Sequence, residues 1–170
     1  MARPVKLYSH AVAPNPRRVR IFAAEKVIEL SLEAVDILAG QSRTPEFLAK
    51  NSSGGVPVLE LDDGSYLSES VATCRYLEGL HPEPNLLGRD LREQAEIERW
   101  NRRMELELFA AIGRTFQNTS FAGERFTIAD ITALVAIDIG GRLADITIAP
   151  ELAYLTRWHE LVSSRPSAEA

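Results

Sequence analysis

The sequence predicts a small α/β domain with a mixed four-stranded sheet, followed by an all-helical domain. Three observations carry that reading. Residues 1–81 alternate strand-like and helix-like segments in the order β-α-β-α-β-β-α. The stretch "HPEPNLLGRD", with two prolines and a glycine, then breaks the pattern. Beyond it, apolar residues recur at helical spacing and no strand of comparable strength follows. The division is therefore 1–81 for the α/β domain, 82–89 for a linker and 90–170 for the helical domain.

The first strand is "PVKLY". After Pro16, Val19, Phe22, Ala23 and Val27 fall at the three-to-four spacing of a buried helix face. "LSLEAVDI" alternates like a strand. Thr44 and Pro45 open a short helix, "TPEFLAK", as N-cap and first helical residue. "VPVLEL" and "YL" form a hairpin about "DDGS", in which Asp63-Gly64 is the turn signal. A helix from about Ser68 to Leu80 closes the domain.

In the helical half, Ile97, Trp100, Met104, Leu108 and Ile112 hold one apolar face over several turns. Thr127 is placed to cap the next helix, Asp130 to cap back and Phe126 to staple onto Ile131. That helix turns Ile128, Ile131, Val135 and Ile139 to the core, with Leu134 flanking. A last helix begins near Pro150 and carries Leu152, Leu155, Trp158 and Leu161.

Composition narrows the class of function. A chain of 170 residues, 45% hydrophobic and 25% charged, has the profile of a soluble globular protein. A net charge of −5 argues against nucleic acid as a partner. Cys74 is the one cysteine, which excludes an intramolecular disulfide and a CxxC redox or zinc site. His10, His81 and His159 show no ligand spacing, so no metal site is expected. "MARPVKLYS" contains no apolar run of signal-peptide or membrane-span length, and a cytoplasmic protein without membrane contact is expected.

Three segments resemble one family: "VKLYSHAVAPNPRRVRIFAAEKVI", "TPEFLAKNSSGGVPVLELDDGSYLSESVATCRYLE" and "FTIADITALVAIDIGGRL" continuing to "LTRWHELVSSRPS". Nearly the whole chain is similar, in order, to the cytosolic glutathione S-transferases, most of all their bacterial and theta-like branches. The most specific marks are Val-Pro followed by Glu-Ser, and the Phe-Thr-x-Ala-Asp cap. The resemblance implies a thioredoxin-like first domain and an all-helical second one, usually as a homodimer. It also implies glutathione as cosubstrate, with a small-molecule electrophile or disulfide as the unidentified acceptor. A non-catalytic binding or scaffold protein of the same fold is the alternative.

The family's binding pattern falls on particular residues. Val56, before a cis Pro57, would pair its free N–H and C=O with the middle of glutathione, as an added strand does. Glu69 and Ser70, where strand gives way to helix, would hold the γ-glutamyl end. Ser70 adds a hydroxyl donor to the N–H groups of the helix start, and Glu69 accepts from the ammonium. Helix capping by Ser68 or Ser70 is the plain alternative. For the glycine-end carboxylate the family's usual positions hold Gly55 and Ser42, which leaves Gln41 and Lys50 as candidates that spacing alone does not place there.

The nucleophile position is the open question. A free thiol titrates near ~8.5, so a transferase must favour the thiolate. The serine and cysteine that do so in relatives align with Ala13, and the tyrosine-type position falls near Ser9. Asn15 is the better donor, through its amide. Asn15 before Pro16 also reads as an N-cap before a first helical residue, and the two roles are compatible. Arg17 and Arg18 would add positive potential in the first turn. Cys74 reads as a small buried hydrophobe, Asp130 as a structural cap and His159 as packing beside Trp158. Trp100 and Met104 belong to the core, with Arg103 and Phe109 bordering an acceptor pocket.

The helical domain is shortened relative to the family, which carries a further helix between "RTFQNTS" and "FAGERFTIADI", where Ser120 abuts Phe121. Either that helix has been lost or the 170-residue sequence omits a stretch; the join falls where a loop and a helix belong, which favours omission.

Overall fold

A computed structural model describes residues 2–115, 125–144, 147–148 and 153–170, with the backbone alone for 107–115 and 143–144. The chain separates into two compact units, residues 1–84 and 85–170. The first contains β1 (Pro4–Ser9), α1 (Pro14–Glu25), β2 (Leu32–Ala34), α2 (Pro45–Leu48), β3 (Val58–Leu61), β4 (Tyr66–Ser68) and α3 (Ser70–Leu80). The second contains α4 (Leu91–Thr115), α5 (Ile128–Ala144) and α6 (Ala153–Ser163).

The sheet order is β2-β1-β3-β4. β2 lies parallel to β1, which the α1 crossover requires, while β3 is antiparallel to both β1 and β4. The predicted hairpin forms with Gly64 at φ 81°, the left-handed geometry its turn demands. Leu7 faces Leu59 across β1 and β3, and both are fully buried. Val35, Phe47 and Val58 form a separate cluster joined by Tyr8, Ile37 and Val56. Thr44 caps α2 as expected, its Oγ1 accepting from Phe47 N at 3.3 Å.

Periodicity fails at two helix ends. Val27 is 89% exposed, because α1 has ended at Glu25 and Val27 takes φ 54° on the way out. Leu161 is 70% exposed, and Val162 fills the core of α6 instead. The second strand is shorter than its alternating pattern suggests: only three exposed edge residues pair, with Val35 buried just beyond.

In the second unit α5 is buried on nearly all sides. Ile128, Ile131, Leu134 and Val135 are in the core and Ile139 is half-buried. Met104 packs with Ala133, Ile137 and Leu155, flanked by Trp100 and Trp158. The predicted cap forms reciprocally: Thr127 Oγ1 accepts from Ala129 N at 3.2 Å, and Asp130 Oδ2 accepts from Thr127 N at 2.9 Å. Asp130 Oδ1 also accepts from Trp158 Nε1 at 3.0 Å, tying α6 to the start of α5. The backbone of Leu108, Phe109 and Ile112 lies in α4 but their side chains are not described, and the expectations for Pro150, Leu152 and the Ser120–Phe121 join lie outside the described residues. Among the described residues no helix is long and apolar enough to cross a membrane.

Candidate functional site

The site is built in the first unit, around the start of α1. The helix begins at Pro14, two residues earlier than Asn15-Pro16 suggests, so the N-cap is Ala13. Asn15 therefore occupies the second helical position, and its capping role is corrected: no side chain caps this helix. Prolines at 14 and 16 have no N–H, Ala13 N donates to His10 O at 3.3 Å, and Arg17 N donates to Ala13 O at 3.2 Å. What remains open in the first turn is the N–H of Asn15, beside its own exposed amide, which makes no hydrogen bond among the described residues.

Asn15 lines a cavity of about 410 Å³ with Ala13, Pro14, Ile37, Leu38, Ser42, Arg43, Gly54, Gly55 and Val56. The Val56–Pro57 bond is cis, as expected from the sequence. Neither the N–H nor the C=O of Val56 is hydrogen bonded among the described residues. The loop before it is set by Asn51, whose Nδ2 donates to Gly55 O at 2.9 Å and whose Oδ1 accepts from Ser53 Oγ at 3.0 Å.

Arg43 is the residue the sequence reading missed. Its Nη1 donates to Ser53 O at 2.8 Å, and the guanidinium lies across Gly54. A Cβ at position 54 would displace that Nη1 and come within 2.9 Å of the Ser42 carbonyl oxygen, and φ there is 65°, so the backbone contact and the conformation both favour glycine. Gln41 and Lys50, the expected carboxylate ligands, do not line this cavity. Gln41 Oε1 is taken by Asp36 N at 2.7 Å. Lys50 Nζ sits 5.6 Å from the Tyr8 ring centre and 5.3 Å from that of Tyr66. A glycine of positive φ two residues before Val56 was the signal for a side chain packed on the loop, but it did not say which one.

The α3 start is open as well. Glu69 is its N-cap, with φ 68° and ψ 114°, a conformation few non-glycine residues adopt. No side chain caps the helix, which corrects the Ser68 and Ser70 alternative. The exposed Glu69 carboxylate has no partner among the described residues. Ser70 is buried, and its Oγ accepts from Arg18 Nη1 at 2.7 Å, leaving its own proton to donate. Arg18 thus spans from α1 to α3 and is 5% exposed, rather than facing the start of α1 as supposed.

Ser9 is 6% exposed, its Oγ accepts from Arg20 Nη1 at 2.8 Å, and it does not line the cavity. Tyr8 donates to Glu60 Oε2 at 2.8 Å, and burial together with that carboxylate holds its phenol well above the ordinary value. Cys74 is fully buried, which pushes its thiol up to about 12 and leaves it inert at neutral pH. Burial likewise raises the carboxyl of Asp130, against the hydrogen bonds from Trp158 and Thr127 that favour its ionised form. His159 does more than pack: its Nε2 pairs with Asp138 Oδ1 at 2.9 Å. Arg103 stacks on Trp100, 4.9 Å from the ring centre. No group of three potential metal ligands occurs among the described residues.

The family profile "Glutathione S-transferase, N-terminal domain" matches residues 12–80, which include the α1 start, Val56, Glu69 and Ser70. "Glutathione S-transferase 2" of Saccharomyces cerevisiae is 30% identical over 210 aligned residues, covering 99% of this chain and 90% of that protein. The matched span exceeds the 170 residues here, so the yeast protein holds several dozen residues within it that have no counterpart in this chain. Among solved structures, a glutathione S-transferase domain-containing protein of Marinobacter aquaeolei superposes with a TM-score of 0.85 at 32% identity, covering 96% of this chain and 99% of that one. Gtt2 of Saccharomyces cerevisiae gives 0.85 at 29% identity, covering 97% and 99%. With the cis Val56–Pro57, the Glu69–Ser70 helix start and these matches in agreement, the chain belongs to the glutathione S-transferase family.

Proposed function

We propose that this protein is a glutathione transferase in which Asn15 stabilises the thiolate of bound glutathione. The observation that carries the reading is the open first turn of α1, where Asn15 offers a backbone N–H and an amide to one cavity shared with the unpaired backbone of Val56. The cysteinyl backbone of glutathione pairs with Val56 as an added strand. The γ-glutamyl carboxylate takes the Ser70 hydroxyl and the N–H groups of the α3 start, and its ammonium takes Glu69. Arg43, held against Gly54 at the cavity wall, meets the glycyl carboxylate in place of Gln41 or Lys50.

The chemistry needs no covalent protein intermediate. Two Asn15 donors and the partial positive charge of the helix start lower the thiol toward neutrality. The thiolate then attacks an electrophilic carbon or a disulfide sulfur; the new bond to sulfur forms as the leaving group departs with its electron pair. The homodimeric, cytoplasmic form belongs to the same proposal and is supported by membership of the family.

Titration of the protein with glutathione tests binding, and ultraviolet thiolate absorbance against pH tests activation. Asn15→Ala should raise the bound thiol's pKa by about one to two units, since a hydrogen bond to a charged group is worth roughly 1.5–3 kcal/mol. Because Asn15 is not the N-cap, stability should change by no more than about 0.5 kcal/mol. A wild-type protein that binds no glutathione overturns the proposal. Binding without turnover of any electrophile or disulfide reduces it to a glutathione-binding protein.

A further inference from the structure

The first turn of α1 has a proline at its first position but no side-chain cap to fix the helix start. Its N-cap is alanine, with no side-chain cap and no acidic residue in the first turn, and two prolines remove N–H groups that would have anchored it. Yet Ala13, Pro14 and Asn15 form a wall of the cavity. Something must hold the segment between Ser9 and Ala13 in register with the helix it feeds.

Arg20 makes the contacts that do so. From the second turn of α1 its guanidinium reaches back past the start of its own helix. Nη1 donates to Ser9 Oγ at 2.8 Å and Nη2 to Ala11 O at 2.9 Å. Two acceptors, one at the end of β1 and one inside the loop, are bridged by a single planar fork. Backbone bonds hold the two ends of the segment, Val35 N donating to Ser9 O at 2.9 Å and Arg17 N to Ala13 O at 3.2 Å, and between them runs the weak turn from Ala13 N to His10 O at 3.3 Å. Arg18 reaches across to Ser70, whereas both hydrogen bonds of Arg20 among the described residues go to this loop.

We propose that Arg20 is a positioning residue for the thiolate site: its fork replaces the missing cap of α1 and fixes the loop so that the Asn15 donors point to one place. The inference rests on the reading of Asn15 as the thiolate donor. A planar fork with two N–H groups suits two divergent acceptors, which a lysine ammonium on a flexible stem does not. Ser9 finds its role here as an acceptor that anchors the fork, not as a nucleophile activator.

The test uses the full chain and three readouts: hydrogen exchange of residues 10–15, thiolate absorbance of bound glutathione against pH, and steady-state kinetics with an electrophilic nitroarene. Arg20→Met keeps the apolar stem and removes the fork. It should speed exchange across residues 10–15 by tenfold or more, raise the bound thiol's pKa by about one unit and lower kcat about tenfold. KM for glutathione should move less than about twofold, because the contacts at Val56, Glu69 and Ser70 remain. Arg20→Lys should recover only part of the loss. A purely structural arginine predicts a lower melting temperature with unchanged thiol pKa and unchanged exchange in the loop, and that result overturns the proposal. Full recovery in Arg20→Lys overturns the two-acceptor clamp. Absence of glutathione binding in the wild type is a different failure, since it removes the reading of Asn15 and the role of Arg20 with it, while the Arg20→Met exchange comparison still reports separately whether the fork orders the loop.

Discussion

The starts of α1 to α5 fall into two kinds. At α2, α4 and α5 the first turn is closed by side chains. Thr44 caps α2; Asp90 Oδ1 accepts from Glu93 N at 2.9 Å at α4 while Glu93 Oε2 accepts from Arg89 N at 2.8 Å; Thr127 and Asp130 cap each other at α5. At α1 and α3 there is no side-chain cap, the N-cap residues being Ala13 and Glu69. On the proposed function, the difference follows use. A start that only holds the fold is most stable when its N–H groups are satisfied internally. One that is to meet an anion must leave them open and be held in place by other means, as Arg20 and Arg18 do for α1 and α3.

The largest effect should come from breaking a closed start. Asp130→Ala removes the acceptor for the buried Thr127 N and Thr127 Oγ1 and for the half-buried Trp158 Nε1. Loss of about 3 kcal/mol is expected in urea unfolding, since each stranded buried donor costs ~1–3 kcal/mol. A loss below about 1 kcal/mol would mean the box contributes little, and the contrast with α1 would lose its meaning.

Opening the comparison from the other side, Glu69→Gly should separate stability from binding. Glycine tolerates φ 68°, so relief of strain should stabilise the protein by about 1 kcal/mol. Glutathione affinity should fall about tenfold, the equivalent of ~1.4 kcal/mol, through loss of the ammonium's partner. Glu69→Gln, which keeps the strain, should weaken binding without the gain in stability. If glycine neither stabilises nor weakens binding, the open α3 start has no functional meaning.

Much of this division was legible in the sequence. Thr44-Pro45 and Thr127-x-x-Asp130 are cap signals whose residues act within four positions of each other, and both formed. The hairpin at Asp63-Gly64 is equally local. Pro14-Asn15-Pro16 was ambiguous because either proline can be the first helical residue, and only the observed Ala13 backbone decides. Arg43, Arg20 and Arg18 were misread or missed because a long cationic side chain reaches its acceptor across space: Arg18 to Ser70 joins residues 52 positions apart. Val27 failed for another reason, since spacing alone continues past the end of α1 at Glu25; Leu161 lies within α6, where the neighbouring Val162 takes the core position.

A smaller effect should appear at α4 under acid. Hydrogen bonds from Arg89 and then Arg125 hold the Glu93 carboxyl down to about 2, below its unfolded value of 4.5. The folded state therefore releases this proton more readily, so the stabilisation is fully present above about pH 4.5 and is lost as pH falls toward 2. Urea midpoints across that window should fall in the wild type and flatten in Glu93→Gln. Because the pair is near the surface, the slope should weaken further in high salt. Identical pH dependence in the two proteins would show that the closed α4 start does not draw on this charge.

The smallest change is the most direct test of why α1 is open, because it closes the start artificially. Ala13 already has the extended geometry of an N-cap, φ −73° and ψ 136°, so Ala13→Asp requires no backbone change. With Pro14 and Pro16 lacking N–H groups, the new carboxylate has one first-turn donor to take, the N–H of Asn15. Stability should rise by about 0.5–1 kcal/mol, a gain of roughly 2 °C in melting temperature for a chain of this size. The same carboxylate would occupy the donor meant for glutathione's sulfur and add a negative charge beside it. The bound thiol's pKa should therefore rise while the protein becomes more stable, two changes of opposite consequence from one substitution. A more stable variant with an unmoved thiol pKa would leave the open start of α1 without a ligand to explain it. An unstabilised variant would mean that the Asn15 N–H was never free.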